Sequence, residues 1–173
     1  MRWSFVAVVV VALGLQGCSS STPSDAAALK LTDALTKTCE PWMKGVERES
    51  LNQTLIPGGW ALTANAGFLQ SGAWGRVDVT LLQPGTPLQR ACLINFNSSL
   101  EPWSLKPASA AIEQWVSRAY PNAVKATDGP SVVDGRAVDM QAWVADDVKF
   151  VRGVQKEKQI APTFDLFFMV RRD

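Results

Sequence analysis

Few kinds of residue in this chain can do chemistry. There are 3 cysteines, 16 aspartates and glutamates, and no histidine among 173 residues. The missing histidine removes the commonest general base and the commonest metal ligand. A Ser-His-Asp set cannot be assembled within one such chain. Neither a G-x-S-x-G elbow nor a Ser-x-x-Lys pair occurs. Cys39 and Cys92 are too far apart in sequence to be a C-x-x-C redox pair. No Gly-rich loop has P-loop or dinucleotide-binding spacing. No catalytic residue is therefore assigned, and no cofactor is expected.

Paired carboxylates are the remaining enzymatic option. Hydrolysis of a glycosidic bond needs only two acids at a set separation. Glu40, Glu47, Glu49, Glu101 and Glu113 are available, but no pattern places two of them across a cleft. Glu113 falls on the polar side of an amphipathic helix, where solvation is the simpler role. Asp128, Asp134 and Asp139, or Asp146 and Asp147, lack EF-hand spacing and read as turn formers and a polar sheet face. No metal site is expected.

Seven tryptophans complete the inventory. Trp115 belongs to a helical core stripe. Trp143 alternates with Val138 and Met140, so it is expected on the opposite sheet face. Trp42, Trp60, Trp74 and Trp103 fall near predicted loops or strand ends. There an indole can stack on a sugar ring or anchor a partner. The competing reading is that they plug the ends of a small core.

Met1-Arg2 carries a positive charge, and Phe5 to Leu15 is a short apolar run. A spanning helix needs about 20 such residues, so the run suits a signal-peptide core. Leu15-Gln16-Gly17-Cys18 follows it. This stretch resembles the bacterial lipoprotein signal, in which a small residue precedes a cysteine that becomes the lipidated N-terminus. Gln16 stands where a small or β-branched residue is usual. The resemblance implies a signal peptide over 1–17, a lipid on Cys18, and attachment to the envelope facing the periplasm. Ser19 in place of Asp resembles the outer-membrane class more than the inner-membrane one. Residues 18–25 are small and polar and are expected to form a tether.

With Cys18 lipidated, Cys39 and Cys92 remain as an even pair in an exported protein, which points to a disulfide. The alternative is two separate buried thiols. Only Arg2 of the 17 Lys and Arg residues precedes Cys18, so the remainder balances its 16 acids. No basic stripe suggests nucleic acid. At 47% hydrophobic residues the chain reads as globular.

Residues 26–173 are expected to be one domain. Ala28, Leu31, Leu35 and Cys39 lie on one helical face. Pro41 is expected to break or restart that helix. Trp60 to Leu69, Arg76 to Leu82 and Arg90 to Phe96 read as strands, with Val77, Val79 and Leu81 facing Cys92, Ile94 and Phe96. The helix and the third strand thus bring Cys39 and Cys92 inward together. A bridge there would close a loop of about 50 residues and contribute on the order of 3–4 kcal/mol. Ala108, Ile112, Trp115, Val116 and Ala119 mark a second helix. Asp128-Gly129-Pro130 reads as loop. Val138 to Val144, Val148 to Val154 and Phe164 to Val170 read as strands. In the first of these Val138, Met140, Ala142 and Val144 form the apolar face. The third is expected to be covered on both faces. Arg152 interrupts an apolar face.

The expectation is an α+β fold: an antiparallel sheet of about six strands, with two main helices on one face. The element order is helix, three strands, helix, three strands. Gly75-Arg76 and Gly135-Arg136 each lead into an alternating strand, a weak hint of an internal repeat. The expected role is a membrane-anchored, non-enzymatic binding or structural one, with an envelope protein or glycan as partner. The alternatives are a carboxylate-dependent enzyme acting on envelope glycans, or an inhibitor of an envelope-directed enzyme.

Overall fold

The computed structural model describes residues 22–64, 67–83, 89–98, 105–133, 135–156 and 164–172. The first helix, α1 (Pro23–Ala34), starts at a capping box. Thr22 accepts from the Asp25 backbone N–H, and the Asp25 carboxylate accepts from the Thr22 backbone N–H. Residues expected to be tether are thus already helical from Pro23. The helix continues through a π turn (Leu35–Cys39) and restarts as α2 (Glu40–Met43) with Pro41 in its first turn, so Pro41 does not break it. Proline lacks an N–H and its ring crowds the carbonyl four residues earlier. The wider turn just before it absorbs that defect. A short α3 (Arg48–Leu55) follows, and α4 (Lys106–Ala119) comes after the fourth strand.

The described strands number eight: β1 (Ala61–Leu62), β2 (Gly67–Gly72), β3 (Gly75–Leu82), β4 (Ala91–Ser98), β5 (Val124–Val133), β6 (Arg136–Ala145), β7 (Val148–Gln155) and β8 (Leu166–Arg172). They form one antiparallel sheet in the order β1-β2-β3-β4-β8-β7-β6-β5. The fold is α+β as expected, but the sheet is larger than six strands. The first predicted strand is split into β1 and β2. The stretch read as a loop through Asp128-Gly129-Pro130 is the ten-residue β5. A Gly-Pro pair is tolerated there because β5 is an edge strand, where one row of N–H groups has no sheet partner.

Each half of the chain supplies four sequential strands, and β4 meets β8 at the seam. The two Gly-Arg pairs open β3 and β6, the third strand of one half and the second of the other. They do not occupy equivalent positions.

The register of β3 on β4 is the expected one, with Val77 opposite Phe96, Val79 opposite Ile94 and Leu81 opposite Cys92. Leu166, Phe168 and Val170 of β8 extend this layer. Ala27, Leu31 and Leu35 cover it from the first helix, as do Ile112, Trp115 and Val116 of α4. Trp115 packs edge-on against Phe168 and Phe150, and Tyr120 against Phe150 at 4.7 Å. The Cys39–Cys92 disulfide ties the π turn to β4 within this core.

Candidate functional site

The site grows from the part of the sheet where the core layer turns polar. On the helix side Phe150 sits opposite Trp143, then Arg152 opposite Gln141, then Val154 opposite Asp139. The helix-facing residues of β6 are therefore Asp139, Gln141, Trp143 and Ala145. The helices thus lie on the Trp143 side and not on the apolar face that Val138, Met140, Ala142 and Val144 form, although Val138 is buried there too. Period-two alternation separates two faces but does not say which is inside when both carry apolar residues. A one-residue shift in register exchanges them. Pairing Trp143 with Phe150 buries the larger side chain.

Arg152 is 6% exposed. Its Nη1 pairs with the Glu113 carboxylate of α4, and its guanidinium lies 5.9 Å from the Trp143 ring centre. Glu113 is thus not simply solvated: it reaches down the flank of α4 to meet a buried cation. The interruption of the β7 apolar face was the sequence signal for Arg152. Nothing in the sequence marked Gln155, Lys106 or Ser109, which meet Arg152 around a cleft of about 410 Å³ at the start of α4. Asp139 is the one carboxylate on its wall among the described residues.

The opposite face of the sheet carries no helix among the described residues. Leu93 of β4, Phe167 and Met169 of β8, Val151 of β7, and Met140 and Ala142 of β6 lie side by side across it. All are partly exposed. β8 was expected to be covered on both faces, but only its Leu166, Phe168 and Val170 side is under helices. The edges of the sheet are less inviting. β1 has two residues, and β5 carries Pro130 and a register shift between Lys125 and Thr127.

Of the expected recognition aromatics, Trp42, Trp60 and Trp74 are buried, with exposures of 2%, 4% and 8%. The Trp42 indole N–H donates to the Ala91 carbonyl at 3.0 Å, and Arg90 stacks on its ring at 4.2 Å. Trp74 stacks on Phe96 at 6.0 Å. These indoles close the core and leave no face for a ligand, which corrects the recognition role given to them. Trp103 lies outside the described residues, as do Cys18 and the whole 1–17 segment.

Glu40, Glu47 and Glu113 are engaged by separate donors. Glu40 accepts from Lys44 at 2.7 Å and from the Trp115 indole at 3.2 Å. Burial alone would raise its pKa. Those two bonds, with the charges of Lys44 and Arg118, outweigh burial and hold it below the usual carboxylate range. Glu47 accepts from Arg90 at 2.7 Å. Glu101 lies outside the described residues. Among the described residues no group of three His, Cys, Asp or Glu side chains could hold a metal ion, and no helix is long and apolar enough to cross a membrane.

Comparisons with protein-family models, with curated proteins and with solved structures give no match.

Proposed function

We propose that the chain is a lipoprotein of the bacterial envelope, anchored by a lipid on Cys18 and facing the periplasm, with the outer membrane favoured. Its role is to bind an envelope protein, not to catalyse a reaction. The observation that carries the binding role is the open sheet face. A stripe of Leu93, Met169, Val151 and Ala142, helix-free among the described residues and flanked by Phe167 and Met140, has polar Thr80, Asp78 and Asn95 along one side. A partly exposed apolar patch with a polar rim marks a protein contact surface. Methionines let such a surface adapt its shape. The protected edges favour the face over strand addition. Inhibition of an envelope-directed enzyme is one form such binding can take. An acid pair acting on glycans gains no support from the cleft, whose wall offers only Asp139 among the described residues.

The anchor would also orient that face. Thr22 already caps α1, so only Ser19–Ser21 separate it from Cys18. Four residue steps reach at most about 14 Å. The domain would sit close against the bilayer with little freedom to turn.

Site-specific photocrosslinking in intact cells tests this. A crosslinker at Met169 or Leu93 is expected to capture a discrete envelope protein, and one at Gln114 on α4 is not. Capture from Gln114 alone would overturn the assignment of the face. Mass spectrometry of the mature protein showing an N-terminus without an acylated Cys18 would overturn the anchor.

A further inference from the structure

Side by side on the helix layer, α1 and α4 leave a groove of about 440 Å³ between them. Ala28, Leu29 and Thr32 of α1 form one wall, and Ala110 and Ala111 of α4 form the other. Leu31 and Leu35 belong to the core stripe of the first helix, whereas Leu29 lies on its outward flank. Leu29 is 61% exposed, the most exposed leucine among the described residues. Asp25 is the one charged residue lining the groove among them, and its carboxylate already accepts from the backbone N–H and the hydroxyl of Thr22. Such a surface can enter a lipid interface without burying an unpaired charge.

The length of chain before α1 says what lies against it. Cys18 stands four residue steps before Thr22, a reach of at most about 14 Å. Leu29 is seven residues beyond Thr22, about 10 Å along the helix. The headgroup layer of a bilayer is about 5–7 Å thick on each side. A lipid on Cys18 therefore holds the first two turns of α1 at that layer. It also supplies the membrane at high effective concentration, so a weak apolar contact suffices to choose which flank turns toward it. The sheet lies beneath α1 and α4, and its open face is on the far side of the domain.

We propose that the α1–α4 groove rests on the bilayer interface, with Leu29 and Ala110 among the lipid headgroups, and that the open sheet face points away from the membrane. This orientation rests on the anchor proposed at Cys18. The lipid sets the distance of the domain from the membrane, and the groove sets its rotation.

Electron paramagnetic resonance of the lipidated mature protein in phosphatidylcholine vesicles tests it. A nitroxide is attached through Leu29→Cys, Ala110→Cys or, on the open sheet face, Met169→Cys. Its accessibility is read to a water-soluble nickel complex and to oxygen, which partitions into lipid. The reference is the unlipidated Cys18→Ser protein in solution. In vesicles the labels at Leu29 and Ala110 should lose nickel access severalfold and gain oxygen access, while the label at Met169 stays as in solution. Unchanged access at Leu29 and Ala110, or an equal loss at Met169, would overturn the orientation. Leu29→Glu changes a position that is already exposed, so the fold survives. It should restore nickel access at Ala110 while the lipid still holds the protein on the vesicles; persistent shielding would overturn the role of the groove. Loss of the protein from the vesicles during flotation would remove the anchor, and the orientation with it. That failure is distinct from free nickel access at Leu29 and Ala110 in protein that floats.

Discussion

The Cα atoms of Cys39 and Cys92 lie 5.4 Å apart, and their sulfurs bond the π turn of the first helix to β4 across 53 residues of sequence. A crosslink over that span restricts the unfolded chain and contributes about 3–4 kcal/mol. The double variant Cys39→Ser/Cys92→Ser is expected to lose that much stability in urea denaturation followed by circular dichroism. Equal midpoints for parent and variant would show that the bridge does not form in solution.

Trp42 and Trp60 fill the core, so Trp42→Ala and Trp60→Ala should each cost about 3–5 kcal/mol. Trp42→Phe should recover much of this but not the bond to the Ala91 carbonyl. Acrylamide quenching of the folded protein gives a second readout. Strong quenching of a variant that keeps only Trp42 and Trp60 would contradict their burial.

Gly75 has φ +124°, and a Cβ there would lie 2.3 Å from the Asn97 carbonyl oxygen. Both backbone strain and the clash oppose any side chain. Gly75→Ala should destabilise by more than about 2 kcal/mol. Gly135, at φ +75° with open space around its Cβ position, carries only the strain. Gly135→Ala should cost about 1 kcal/mol. Equal effects of the two changes would show that the contact with β4 is not made.

Glu40 supplies a pH dependence. Its folded-state pKa is lowered from the usual 4.5, chiefly because the Lys44 and Trp115 bonds and nearby positive charges together outweigh burial. Its contribution is fully present above pH 4.5 and is lost as the pH falls through the lowered folded value, since the unfolded chain takes up the proton first. Stability of the parent relative to Glu40→Gln should be constant near neutral pH and shrink as the pH falls from 4.5 to the lowered folded value. A difference independent of pH would remove the proposed ion pairing.

What the sequence made legible follows one physical rule. β3 and β4 were readable because each has an apolar face and a polar face, and their pairing brought Cys92 toward Cys39. β6 was readable as a strand but not as to its inner face, because Trp143 and Met140 are both apolar and of opposite parity. β5 was hidden by Asp128-Gly129-Pro130, whose local preference for a turn is overridden by nine paired positions along β6. The burial of Trp42 and Trp74 depends on Ala91 and Phe96, far along the chain. For the cleft, the alternation exposed Arg152 as an exception, but only the packing of α4 on β7 brings Lys106 and Glu113 to it.

The seam between β4 and β8 also sets an order of assembly. Hairpins β2–β3, β5–β6 and β6–β7 need only near neighbours in sequence, whereas Cys92 stands opposite Val170. Contacts so distant form late and slowly. If the chain is exported as proposed, the Cys39–Cys92 bridge could form while β8 was still on the far side of the membrane. The bridge would then hold β4 with its outer edge unpaired, a template for β8 of its own chain or of a neighbour. Safe maturation of this domain would depend on how quickly that last strand arrives.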